Sequence, residues 1–166
     1  MAAIWNLPII FICENNKFSE NTDTSRMFRG PITRRAEAYG ITARSVDGYD
    51  PIALYGAYGE ALDRARSGGG ATFIEAECFR YYGHYFGDPM QSVPPDQLEA
   101  EKRRHALPNF TEQLVASGVF TRAELDEIRK GHEEQAKATV DANVAAAPVS
   151  SERMFERTYA NPIKVD

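Results

Sequence analysis

Residues 9–13, Ile9-Ile10-Phe11-Ile12-Cys13, form an unbroken apolar run opened by Pro8 and closed at once by Glu14-Asn15-Asn16. A β-branched and aromatic run of that length reads as a strand buried on both faces, which is the habit of parallel sheets. The polar residues that follow then mark the strand's carboxyl end, the edge where open α/β sheets bind ligands. The two adjacent amides offer oxygens to a hard cation such as Mg²⁺, or they cap a turn. A plain turn leaving a strand is the simpler reading of this stretch alone.

The rest of the chain fits a parallel sheet. A short helix over residues 32–39 starts after Pro31 and stops at Gly40, with Ile32, Ala36 and Tyr39 on one face. Residues 41–46 read as a second strand. Asp50 before Pro51 is a good helix start, and residues 51–67 carry Ile52, Tyr55, Ala61, Leu62 and Ala65 as an apolar stripe. Gly68-Gly69-Gly70 ends that helix; a phosphate cradle would instead follow a strand and open a helix. Residues 71–79 are the third strand. The alternation of strand and helix predicts an α/β fold, a parallel sheet with flanking helices, followed by a helical extension. Helices are expected over 97–104 and 110–118. Thr121 with Glu124 predicts a capping box opening a long helix over 122–147, and Phe155 and Tyr159 are candidate anchors for the tail. The expected division is residues 1–93 and 94–166. Residues 1–6 read as the last turn of a helix feeding the first strand, so something is expected to precede them.

Composition narrows the function classes. A formal net charge of −5 does not favour a nucleic-acid partner. No apolar run is long enough to span a bilayer. The two cysteines, Cys13 and Cys78, each sit in a strand-like run and read as reduced, buried residues of a cytoplasmic protein.

A second polar cluster, Arg80-Tyr81-Tyr82-Gly83-His84-Tyr85-Phe86-Gly87-Asp88-Pro89, leaves the third strand on the side where Asn15-Asn16 leaves the first. Arg80 presents a planar fork suited to phosphate. His84 can donate a hydrogen bond or carry a proton near neutral pH. Asp88 can orient His84, cap a turn or hold an arginine. The plainer alternative is an aromatic loop with a surface histidine, and a weaker one is a metal site on His84 and Asp88. The loop has no apolar period with which to dock. His105 and His132 read as solvated.

In order, LPIIFICENN, RAEAYGI, VDG, RARSGGGATFIEA and RYYGHYFGDP resemble the α subunit of thiamine-diphosphate-dependent 2-oxoacid and acetoin dehydrogenases, the E1 component. The resemblance covers nearly the whole chain. Its implied chemistry is decarboxylation of a 2-oxoacid or cleavage of acetoin, with transfer of the acyl unit to a lipoyl group. It implies thiamine diphosphate and Mg²⁺ as cofactors. Asn16 would be the side-chain metal ligand and Phe18 a backbone-carbonyl ligand. Arg80, His84 and Asn16 would contact the cofactor, with His84 the catalytic candidate. The implied partners are an E1 β subunit and the E2 lipoyl acyltransferase, in an α2β2 assembly. The GHYFGDP loop looks more like the acetoin branch. It has Tyr85 where the pyruvate branch has serine, so a phosphorylation site known in some relatives has no acceptor there. The family's cofactor motif begins with Gly-Asp-Gly, one βα unit before the Asn pair. This sequence holds only its end, so the chain reads as the C-terminal half of an α subunit. The other expectation is a catalytically silent folded or assembly module.

Overall fold

A computed structural model describes residues 1–154; Phe155 and Tyr159, the expected tail anchors, lie outside the described residues. The chain divides into two compact units, Met1–Ser117 and Gly118–Asp166.

The first unit is built on three parallel strands, β1 (Ile10–Asn15), β4 (Thr42–Asp47) and β5 (Thr72–Glu77), in the order β1-β5-β4. Both neighbours of β5 align on it in register: Ile10 and Thr42 each lie beside Thr72, and Asn15 and Asp47 each lie beside Glu77. All three strands therefore end at one edge, and the loops leaving them share it. A two-stranded hairpin, β2 (Phe18–Ser19) and β3 (Thr22–Asp23), follows β1. Helices α1 (Thr33–Ala38) and α2 (Pro51–Arg66) flank the sheet, and α3 (Pro95–Arg103) and α4 (Ala106–Ala116) follow it. Residues 1–5 make the helical turn expected before β1, with the Trp5 amide donating to the Met1 carbonyl at 3.0 Å.

Asp50 starts α2 as its sequence implies: its Oδ1 accepts from the Ile52 and Ala53 amides at 2.9 and 3.0 Å. Such a cap satisfies amide groups that the first turn leaves without helical partners. The core lies between α2 and the sheet, where Val46, Ala57, Ala61 and Ile74 pack with Ile10, Ala53 and Leu54. The expected α2 stripe holds at Ala61 and Ala65 and is corrected at Ile52 and Tyr55. Ala57, Ala61 and Ala65 are buried, while Ile52 and Tyr55 are exposed. Three alanines at a spacing of four let the helix approach the sheet closely and leave the larger side chains outward. Tyr39 is likewise exposed, and only Ala36 of α1 is buried.

Strand β1 also departs from expectation. It is an edge strand among the described residues, and Phe11 and Ile12, on opposite faces, are both exposed. β5, between its neighbours, is the strand buried along most of its length. Both cysteines are free and half-buried; burial pushes each thiol above its ordinary value.

The second unit contains α5 (Arg122–Ala145). Its capping box forms as expected: Glu124 Oε2 accepts from the Thr121 amide at 2.7 Å, and Thr121 Oγ1 accepts from the Glu124 amide at 3.3 Å. No described helix is long and apolar enough to cross a membrane.

Candidate functional site

The loops after β1 and β5 meet. The Cys78 amide donates to the Asn15 carbonyl at 3.0 Å, carrying the parallel pairing one residue past the strands. Two Asx turns then follow one another. Asn15 Oδ1 accepts from the Lys17 amide at 3.1 Å, and Asn16 Oδ1 accepts from the Phe18 amide at 3.0 Å. Asn15 is held from its other end, because its Nδ2 donates to Glu75 Oε1 at 2.7 Å. Glu75 is 5% exposed, so the amide satisfies a carboxylate that would otherwise be costly to bury. The turn needs left-handed backbone at Lys17 (φ 65°) and Glu20 (φ 52°). Such strain persists only where surrounding bonds enforce it.

Arg80 reaches into this turn from β5. Its Nη2 donates to the Glu20 carbonyl at 2.7 Å, and its guanidinium lies 5.9 Å from the centre of the Phe18 ring. Phe18 is itself buried edge-on against Phe79, with ring centres 5.8 Å apart. Arg80 Nε is buried and has no hydrogen-bond partner. The structure thus brings together Asn16, Phe18 and Arg80, which the sequence places in two separate stretches. An orphaned guanidinium donor beside exposed backbone suits an oxyanion. Asn16 Oδ1 keeps a second lone pair, and with a backbone carbonyl from the same turn it offers the oxygen chemistry that Mg²⁺ takes. The pair lacks a carboxylate, and no group of three or more His, Cys, Asp or Glu among the described residues could hold a metal.

His84 lies farther out. Its imidazole is exposed and makes no hydrogen bond among the described residues; its backbone amide donates to Asp88 Oδ2 at 2.7 Å. Asp88 Oδ1 accepts from the Met90 amide at 2.8 Å. Of the three roles open to Asp88, capping the turn is the one its contacts fill, which argues against a His84–Asp88 metal site. Gly83 is required in this turn, since a Cβ there would sit 2.5 Å from Asp88 Cβ and 2.8 Å from its carbonyl oxygen.

The two amides hold the Asp88 carboxyl below its ordinary value, with smaller contributions from Arg80 and His84. A lowered carboxyl value in the folded loop means that the turn is stabilised above the unfolded value of about 3.9. That contribution is lost as pH falls through the folded value. Proteolysis at the exposed Tyr82, Tyr85 and Phe86 should therefore accelerate as pH drops through the acid range. Asp88→Asn should remove the pH dependence and leave the loop cut faster at neutral pH, which an acid-tolerant protease can measure.

The ends of this loop are docked, contrary to the expectation of a segment with nothing to hold it. Phe79 and Val93 are buried with Phe18, and Tyr49, Tyr81, Met90 and Leu98 pack around them. Sequence reasoning missed the residues that hold Tyr81. Its ring stacks on His105 at 4.7 Å, and His105 Nδ1 caps α4 by accepting from the Leu107 amide at 3.3 Å. His105 is therefore a packed capping residue, not a solvated one. Tyr49 donates to Glu101 Oε2 at 2.6 Å, and Arg104 lies over its ring at 4.3 Å while pairing with Asp47 at 3.6 Å. Burial and the Glu101 carboxylate push the Tyr49 hydroxyl well above its ordinary value. A signal for Tyr49 existed: the Asp47-Gly48-Tyr49 turn leaves a parallel strand at the same edge as the other two loops.

Known proteins match most of this chain. The α subunit of the acetoin:2,6-dichlorophenolindophenol oxidoreductase of Cupriavidus necator is 38% identical over 132 residues, 77% of this chain and 39% of that protein. Its Bacillus subtilis counterpart is 38% identical over 117 residues, 69% of this chain and 35% of that protein. The pyruvate dehydrogenase E1 component subunit alpha of Zymomonas mobilis is 34% identical over 155 residues, 92% of this chain and 44% of that protein. The chain thus spans less than half the length of each of these relatives. The family model for the dehydrogenase E1 component matches residues 1–154, and the chain belongs to that family.

Proposed function

We propose that this chain is part of an E1 α subunit, and that the whole enzyme decarboxylates a 2-oxoacid or cleaves acetoin and passes the acyl unit to a lipoyl group. The observation that carries the reading is Arg80: a guanidinium drawn onto the Glu20 carbonyl and the Phe18 ring after β1, with Nε buried and unpaired. On this reading residues 1–93 carry the cofactor-binding part and residues 94–166 the helical extension. Arg80 holds the diphosphate of thiamine diphosphate through its planar fork. Asn16 Oδ1 and the Phe18 carbonyl supply two oxygens to Mg²⁺, and a carboxylate from outside these residues completes the set. When bound, the cofactor supplies the electron sink for the carbanion chemistry. Glu75 fixes Asn15, and Asn15 in turn shapes the backbone that carries Asn16. His84, exposed on the loop that Asp88 folds, meets the acceptor or carries a proton. The partners are an E1 β subunit and the E2 lipoyl acyltransferase, in an α2β2 assembly, and the two free thiols favour the cytoplasm.

Arg80→Lys tests the carrying observation. It keeps the charge and loses the fork, so in enzyme reconstituted with β and the remainder of an α subunit, cofactor affinity should fall by about tenfold or more, about 1.4 kcal/mol. A titration of activity against thiamine diphosphate measures it, and an unchanged half-saturation would remove Arg80 from the diphosphate site.

A further inference from the structure

Residues 79–84 lie outside any helix or strand and make no backbone-to-backbone hydrogen bond among the described residues. Side chains therefore decide where this stretch of backbone lies, and with it where Arg80 starts. On one side of Arg80, Phe79 is buried against Phe18. On the other, Tyr81 stacks on His105, with ring centres 4.7 Å apart and planes 11° from parallel. His105 stands at the corner where α3 gives way to α4. Contacts that do not involve the loop fix that corner to the end of β4. Tyr49 donates to Glu101 Oε2 at 2.6 Å, and Arg104 lies over the Tyr49 ring while pairing with Asp47 and Glu101, each at 3.6 Å. The residue type at the corner is the second clue. His105 opens α4 with a long cap, its Nδ1 accepting from the Leu107 amide at 3.3 Å. Asparagine, aspartate and serine are the favoured caps. What an imidazole has and they lack is a flat ring, and here that ring lies on Tyr81.

We propose that His105 is a positioning residue for Arg80: by stacking on Tyr81 it fixes the backbone from which the guanidinium reaches the Glu20 carbonyl. Arg80 and Tyr81 share a peptide bond, so holding the Tyr81 ring limits the directions open to Arg80. An arginine held in place before its ligand arrives loses less freedom on binding. The inference rests on the E1 α reading for what Arg80 then holds, the diphosphate. The placement of Arg80 itself is read without cofactor, so the two can fail separately.

Two substitutions separate the two roles of His105. His105→Asn keeps a side-chain cap and removes the ring; His105→Phe keeps a ring and removes the cap. On the chain without cofactor, trypsin cuts the Arg80–Tyr81 bond only when Arg80 leaves its place, and mass spectrometry of early digests reads that one bond. His105→Asn should speed its cleavage by about two- to tenfold, the worth of one aromatic stack. Its thermal midpoint should nevertheless stay above that of His105→Phe, which should be cut at the parent's rate. In the assembly with β and the remainder of an α subunit, His105→Asn should raise the half-saturating thiamine diphosphate by about the same factor. Turnover at saturation should be unchanged, and His105→Phe should restore the parent's half-saturation. Faster cleavage in His105→Phe than in His105→Asn, following the lower midpoint, would make His105 a cap alone and overturn the proposal. So would a His105→Asn assembly that saturates like its parent. A parent assembly that binds no thiamine diphosphate would overturn the E1 reading instead, and the cleavage rates would still decide the role of His105.

Discussion

In an enzyme reconstituted with E1 β and the remainder of an α subunit, His84→Ala is expected to lower transfer to the lipoyl group by about 10²- to 10⁴-fold, the usual loss for a positioned acid or base. Decarboxylation read with an artificial electron acceptor should fall much less. The split is expected on the proposed roles because the His84 side chain is exposed, whereas Arg80 is half-buried, with its Nη2 on the Glu20 carbonyl and its Nε buried. The imidazole forms no hydrogen bond among the described residues, so removing it breaks no internal hydrogen bond. Within the turn, the bond that His84 makes is its amide on Asp88, and alanine keeps that amide. If His84 merely pinned the loop, the substitution would raise the apparent cofactor constant and turnover would recover at saturating cofactor. Lipoyl transfer that stays full at saturation would take His84 out of the chemistry.

The second large effect is on stability. Ile74 is 2% exposed, and it packs between the strands and the alanines of α2. Truncation removes apolar contacts and leaves a cavity that alanine neighbours cannot fill by repacking. Ile74→Ala should therefore cost about 2–5 kcal/mol. That is a large part of the roughly 5–15 kcal/mol that holds a domain folded. Ile52→Ala, on the same unit but 64% exposed, should change stability by no more than about 0.5 kcal/mol. Urea unfolding of the two variants side by side gives the comparison. Similar midpoints would mean that the α2 face has been assigned to the wrong side.

These two variants also mark what the sequence reveals and what it hides. Capping chemistry is local, so Asp50 before Pro51 and Thr121 with Glu124 were both legible. The strands were legible because their apolar runs end in polar turns. The buried face of α2 was legible only at Ala61 and Ala65, because periodicity weighs large side chains such as Ile52 and Tyr55, and this helix buries alanines. The exposure of β1 was hidden for a related reason. Its residues are those of an interior strand, and only the strand order shows that its second neighbour is absent among the described residues. At the site, the sequence put Asn16 and Arg80 at strand ends on one edge. It could not show Arg80 reaching the Glu20 carbonyl, a contact between residues 60 apart. Nor could it show Tyr49, Glu101 and His105 fastening the loop, since that depends on how α3 returns to the sheet edge.

On the proposed reading the Asn16–Phe18 turn and Arg80 form part of a thiamine diphosphate site. Calorimetric titration of thiamine diphosphate with Mg²⁺, on the chain alone and on the assembly with β and the remainder of α, reads this out. The chain alone offers an amide and a carbonyl but no carboxylate, so binding there should be weaker than micromolar, the level that corresponds to about −8 kcal/mol. The assembly should bind at micromolar or better, and Asn16→Ala in it should abolish the Mg²⁺ requirement together with the tight binding. Tight binding that survives Asn16→Ala and Arg80→Lys unchanged, or an assembly that forms and binds no cofactor, would contradict the claim and leave the chain as a folded assembly module.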